Sequence, residues 1–163
     1  MTMTRLTLRN RRGATIVEFA LVFPLLLLLM LGVMDFGFYY FVQHSLQFAT
    51  REGVRLALVG RTINDGSGNP MSREASIVQT IRSKAAVAVR PGNVLVYIYP
   101  VNSGFTDPAV LDTTQNSAGL PGSYMRVRTR YTYRFITPLI GALVPGKSKV
   151  IEVQATYRNE LFN

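Results

Sequence analysis

The chain has 163 residues, 48% of them hydrophobic and 17% charged, with a formal net charge of +9. This suits one modest domain beside one membrane segment. Arg5, Arg9, Arg11 and Arg12 supply four of the positive charges, and without them 14 basic residues face 9 acidic ones, an excess too mild to announce nucleic acid. The absence of Cys excludes disulfides, thiolate metal sites and Cys nucleophiles, and the single His, His44, argues against a His-based metal site or catalytic triad.

Residues 14–34 form a 21-residue run with Glu18 as its sole charge, close to the ~20 residues needed to span hydrocarbon. Thirteen residues between Ile16 and Val33 are Leu, Ile, Val or Phe. Together they favour insertion by about 4–8 kcal/mol, against about 3 kcal/mol for one carboxylate near the end of the span. The four arginines precede the span, whereas Asp35 follows it and the next basic residue is Arg51. That asymmetry places the N-terminus in the cytoplasm and the rest outside. A cleaved secretory signal would need small residues after the apolar core; "GVMDFGF" (32–38) has large ones there. Pro24 removes one helical hydrogen bond and predicts a bend or loosening near residues 20–24.

Helical patterning continues past the span. "FGFYYFVQHSLQFATREGVRLALVG" (36–60) has no proline, and Val42, Leu46, Ala49, Gly53 and Leu56 recur at helical spacing. A continuous helix over residues 14–59 would be roughly 70 Å long, so its outer half must bury a face against a domain, sister helices or both. Ala49 and Gly53 would permit close approach there. "NDGSGNP" (64–70) reads as a turn-rich loop, whose Asp65-x-Ser67-x-Asn69 spacing only faintly resembles a calcium loop and lacks its distal Glu. Ser72 caps a second predicted helix running to about Val89, with Ile77, Val78, Ile81 and Ala85 on its apolar face.

The period then changes to two. "NVLVYIYP" (93–100) reads as a strand, and residues 102–122 as a long irregular loop. "SYMRVRTRYTYRF" (123–135) alternates: Met125, Val127, Thr129, Tyr131, Tyr133 and Phe135 take one side, and Arg126, Arg128, Arg130 and Arg134 the other. An apolar connection, "ITPLIGALVPG" (136–146), is placed against the membrane or a helix. It leads to a last strand, "SKVIEVQATYRNE" (148–160). The layout is α+β: a long N-terminal transmembrane helix continuing into a small domain, with a second helix covering an antiparallel sheet of about three strands. The expected divisions are a basic head at 1–13, the span at 14–35, the helix extension at 36–60 and the domain at 61–163.

"RRGATIVEFALVFPLLLLLMLGVMDFG", followed by "ATREGVRLALVG", resembles the TadE-like minor pilins, or pseudopilins, of bacterial tight-adherence (Flp) pilus systems. "YTYRFITPLIG" and "VIEVQATYRNE" are similar to that family's closing strand, apolar loop and strand. The resemblance implies a pilin-like fold and a leader removed on the cytoplasmic face by a prepilin peptidase, with the cut between Gly13 and Ala14. Glu18 and Phe19 become the fifth and sixth mature residues and act in assembly. The Glu18 carboxylate would meet the terminal amine of a neighbouring subunit, fixing the register of stacked helices; a paired buried charge costs far less than a lone one. The partners implied are the prepilin peptidase, other pilin and pseudopilin subunits, the inner-membrane assembly platform and membrane lipid. The place implied is the inner membrane, crossed once, with a periplasmic domain and incorporation into an extracellular pilus. The role is structural, in pilus assembly, surface adhesion or biofilm formation.

No phosphate-binding glycine loop and no H-E-x-x-H, G-x-S-x-G or S-x-x-K pattern is present. The expectation is a non-enzyme with no cofactor, no metal and no catalytic residue. The arginines at 126, 128, 130 and 134 read either as a solvated outer sheet face or as a face for an anionic partner: another pilin, a surface glycan or DNA. The absence of aromatic residues among them argues against base stacking. The rival class is an unprocessed single-pass anchor that binds an anionic partner through this basic face.

Overall fold

A computed structural model of the chain describes residues 11–161; Arg5 and Arg9, and most of the predicted basic head, lie outside the described residues. A single helix, α1 (Arg11–Leu58), runs 48 residues through Pro24 without interruption, about 72 Å at 1.5 Å per residue. Its two halves differ in what they touch. From Gly13 to Leu31 every residue is exposed. Beyond Asp35 the inward stripe is Val42, Leu46, Ala49, Thr50, Gly53 and Ala57, all buried. The expected stripe ended on Leu56, which is half-buried; the face drifts by a residue because 3.6 residues per turn outruns a strict repeat of seven.

α2 (Arg73–Ala85) packs along the outer half of α1. Ser72 caps it, its hydroxyl accepting from the Ala75 amide at 3.1 Å. The helix stops four residues short of Val89, in a turn over 86–88. Ser76 rather than Val78 is buried, because its hydroxyl accepts the Ile63 amide at 3.1 Å and so ties down the preceding loop. Asp65 anchors that loop, with its Oδ1 accepting the amides of Ser67 and Asn69 at 2.8 and 2.9 Å.

Three antiparallel strands, β1 (Leu95–Pro100), β2 (Tyr124–Arg134) and β3 (Ser148–Arg158), lie in the order β1-β2-β3. The register sets Val127 opposite Ile98 and Ala155, and Thr129 opposite Val96 and Val153. That face closes the core with Leu46, Ile77 and Ile81. Thr50 crosses the interface: its hydroxyl lies 2.7 Å from the Leu46 carbonyl and shares a 3.0 Å hydrogen bond with the Thr129 hydroxyl. Asn116 protects the free edge of β1, accepting from the Ile98 amide at 2.8 Å and donating to the Val96 carbonyl at 3.1 Å. The apolar connection after β2 folds as a short helix, α3 (Pro138–Leu143).

Gly53 shows how tightly α1 and α2 meet: a Cβ there would lie 2.4 Å from Ile81 Cγ1 and 2.8 Å from its Cδ1. The clash is with the ethyl arm of Ile81, which is fully buried and has little room to move, so it outweighs the ~1 kcal/mol that alanine gains in helix propensity. Gly53→Ala is expected to destabilise the domain by about 1–3 kcal/mol in urea unfolding of the detergent-solubilised chain. Combining it with Ile81→Ala should cost less than the two changes added, and strict additivity would contradict the contact.

Candidate functional site

The apolar run of α1 ends on a carboxylate. Asp35 is only 2% exposed, a position that a charged group occupies only when well supplied with donors. Its Oδ1 accepts from the Tyr133 hydroxyl at 2.9 Å and the Ile136 amide at 3.2 Å, and its Oδ2 from the Thr137 amide at 2.9 Å. Aromatic rings surround the clasp. Tyr39 meets Tyr133 edge-on at 5.5 Å and stacks on Phe135 at 6.2 Å, while Phe36 meets Phe135 edge-on at 6.2 Å. Burial, and then the hydrogen bond to Asp35, push the Tyr133 hydroxyl well above its ordinary pKa, so it remains a donor. The end of β2 is thereby fixed to the helix where the exposed half of α1 gives way to the buried half.

Asp35 was visible in the sequence only as the first charge after the span. Its role depends on the amides of residues 101 and 102 positions away, which no local pattern links to it.

Gly13, Ala14, Glu18 and Phe19 lie on the exposed N-terminal turns of α1. Gly13 has open space around it but is already helical, so a protease would have to take this bond from a frayed end of the helix. Ala14 and Glu18 are four residues apart and therefore share one face. Phe19 stacks on Phe23 at 5.0 Å. Among the described residues Glu18 forms no ion pair.

The structure brings the arginines together, with carboxylates of the same chain. Asp107, from the loop after β1, bonds to both Arg126 and Arg128 and accepts the Tyr99 hydroxyl at 2.9 Å. Glu152 on β3 lies 3.3 Å from Arg128 Nε and bonds to Arg130. Arg126 also donates to the Thr156 hydroxyl at 2.9 Å. Arg134 is exposed at the strand end. Aromatic residues do interleave with this ladder, contrary to the reading of the strand alone. The neighbouring strand sets Tyr99 opposite Arg126 and Tyr97 opposite Arg128, and the Arg130 guanidinium sits 5.7 Å from the Tyr97 ring centre. Tyr97 and Tyr99 are buried with Val101 against Leu111, so their rings do not form an open stacking platform.

Fold and site together define a class: a single long apolar helix, fit to anchor a protein by one membrane pass, carrying a small α+β head clasped to it at the end of the apolar run. The family model described as TadE-like protein matches residues 13–55, which is α1 almost in its entirety. Residues 13–55 are thus similar to the TadE-like family, a likeness that supports involvement in a Tad pilus system and interaction with other pilus components. The match ends before the closing strands, so the likeness of the tail is not part of it. No curated protein and no solved structure is significantly similar to the chain.

Two predictions follow from this geometry. Asp35→Ala leaves the Ile136 and Thr137 amides and the Tyr133 hydroxyl without their acceptor, and is expected to cost about 3–5 kcal/mol. Amide exchange at residues 136 and 137 should rise first, and Asp35→Asn, which keeps one acceptor oxygen, should lose less. Unchanged exchange at those two amides would contradict the clasp.

The second concerns pH. Partial burial works to raise Asp107, but hydrogen bonds from Tyr99 and Arg126 and the charges of Arg128 and Arg126 hold it below its ordinary 3.8. A carboxylate depressed in the folded state stabilises it above the unfolded value and loses that contribution as pH falls through the folded one. Proteolysis or amide exchange of residues 102–116 should therefore be flat from neutrality to about pH 4 and increase below it. Asp107→Asn should give the loosened loop already at neutral pH.

Proposed function

We propose that this chain is a minor pilin, or pseudopilin, of a tight-adherence pilus. In this reading a prepilin peptidase removes its basic leader between Gly13 and Ala14, and the subunit then acts structurally in pilus assembly, adhesion or biofilm formation. The observation that carries the proposal is the TadE-like match along α1, a helix whose residues 13–31 are all exposed rather than buried against the chain's own domain. A face of that size, apolar and with one carboxylate, is suited to lipid before assembly and to sister helices after it. The N-terminus lies in the cytoplasm and the domain in the periplasm, in keeping with the arginines ahead of the span.

Cleavage creates an amine on Ala14, one turn from Glu18. Glu18 offers the opposite charge either to that amine or to the same amine on a neighbouring subunit, and the second arrangement fixes the stagger between helices. Pairing is what makes a carboxylate tolerable at this depth. The competing reading, an unprocessed anchor that binds an anionic partner through its basic sheet face, has less support, because Asp107 and Glu152 already occupy Arg126, Arg128 and Arg130.

The test uses two variants of the full chain, expressed with its pilus system and read by N-terminal mass and by co-purification with other pilus components. Gly13→Val places a β-branched side chain at the scissile bond and should leave the leader attached while insertion proceeds. Glu18→Ala should insert at least as well as the parent and be processed, yet fail to assemble. A chain that is never shortened supports the anchor reading, and a processed Glu18→Ala that assembles normally removes the register role.

A further inference from the structure

The membrane-proximal rim of the domain reaches down beside the span. Thr137 Oγ1 lies 3.4 Å from the Leu31 carbonyl, and Ile140 Cδ1 lies 3.3 Å from where a Cβ on Gly32 would stand. Leu31 and Gly32 precede Asp35 by four and three residues, about 5–6 Å along the helix. α3, six residues without a charge, is therefore level with the last turn of the apolar run. Beside it the surface is open and amphipathic: Ile136 is 71% exposed and Val87 72%, and with Phe38, Phe41, Thr132 and Arg134 they line a groove of about 890 Å³. Arg134, Lys147 and Lys149 lie at the same end of β2 and β3. All three are exposed, and none forms an ion pair among the described residues.

We propose that this rim is a lipid-binding surface. α3 and Ile136 enter the interfacial layer of the leaflet from which α1 emerges, and Arg134, Lys147 and Lys149 meet the phosphates of anionic phospholipid. The inference rests on the reading of α1 as a membrane span. Depth and continuity select lipid over a protein partner. A surface level with Gly32, on the same chain as the span, meets headgroups whenever the helix is inserted, whether or not another subunit is present. Apolar residues flanked by basic side chains are the composition that binds at such an interface. The Asp35 clasp makes the position tolerable, because the amides of Ile136 and Thr137 bring their acceptor with them into a zone poor in water.

The chain has no cysteine, so single replacements can be labelled uniquely. Leu26→Cys in the span, Ile136→Cys on the rim and Leu161→Cys at the far end of the domain would each carry an environment-sensitive fluorophore. The full chain is placed in nanodiscs containing nitroxide-bearing lipid, made of phosphatidylcholine with or without phosphatidylglycerol. Quenching is expected at 26 and 136 but not at 161. Rim quenching should fall severalfold without phosphatidylglycerol, or when Arg134, Lys147 and Lys149 are all changed to Gln. Quenching at 26 with none at 136 overturns the docking and leaves the span standing, whereas none at 26 overturns both. Equal rim quenching in the two lipids overturns the phosphate contacts. Shielding of 136 only when two copies share a disc would assign the rim to subunit contact instead.

Discussion

The Asp35 carboxylate joins the part of α1 suited to a bilayer to the part that carries the domain. A charge this deeply buried is stable only where several donors converge on it, and here two come from the backbone that follows β2. Meeting that requirement fixes where β2 ends. Because β2 is the central strand, its position fixes β1 and β3 as well. The Thr50–Thr129 hydrogen bond holds the same strand to the same helix farther out. The sheet is thus attached to α1 at two heights, one of them at the boundary of the apolar run, which limits how far the domain can swing away from the membrane surface.

The fold was largely legible in the sequence because its signals are periodic. The change from a spacing of three and four to a spacing of two falls near residue 93, and Met125, Val127, Thr129 and Tyr133 do face the core. What escaped the sequence was whatever depends on a contact at long range. Asp35 looked like a residue closing the span. Ser76 lies outside the predicted apolar face of α2, yet it is buried to hold the Ile63 amide. Residues 136–146 showed only that they were apolar, and it is the open space over Gly32 that lets Ile140 settle there.

The arginine ladder shows the same limit more sharply. Alternation along one strand placed four like charges on one face, and by itself such a row would repel. The offsetting carboxylates arrive from a different strand and from a loop of no regular pattern, at Glu152 and Asp107. The loop carrying Asp107 also brings Leu111 over Tyr97 and Tyr99. Charge pairing and apolar cover therefore act together to fold residues 102–116 onto the sheet. Removing the charge pairing would loosen the cover without exposing a ready-made binding face, since the guanidinium groups of Arg126 and Arg128 are themselves mostly buried.

Glu18 and Asp35 invite comparison because they bracket the apolar run of one helix. Seventeen residues separate them, about 26 Å along the axis, slightly less than the ~30 Å of a hydrocarbon core. Asp35 finds its donors within its own chain, from a loop that folding brings to it. Glu18 has no such donor among the described residues and lies on turns where residues 13–31 are all exposed. The energetic problem is similar at the two ends, and only one end is solved by folding. On the proposed function, the other end takes its donor from outside, by proteolysis of the same chain, by a second subunit or by both. It is the position of that charge, rather than the fold of the domain, on which the proposed assembly role of α1 rests.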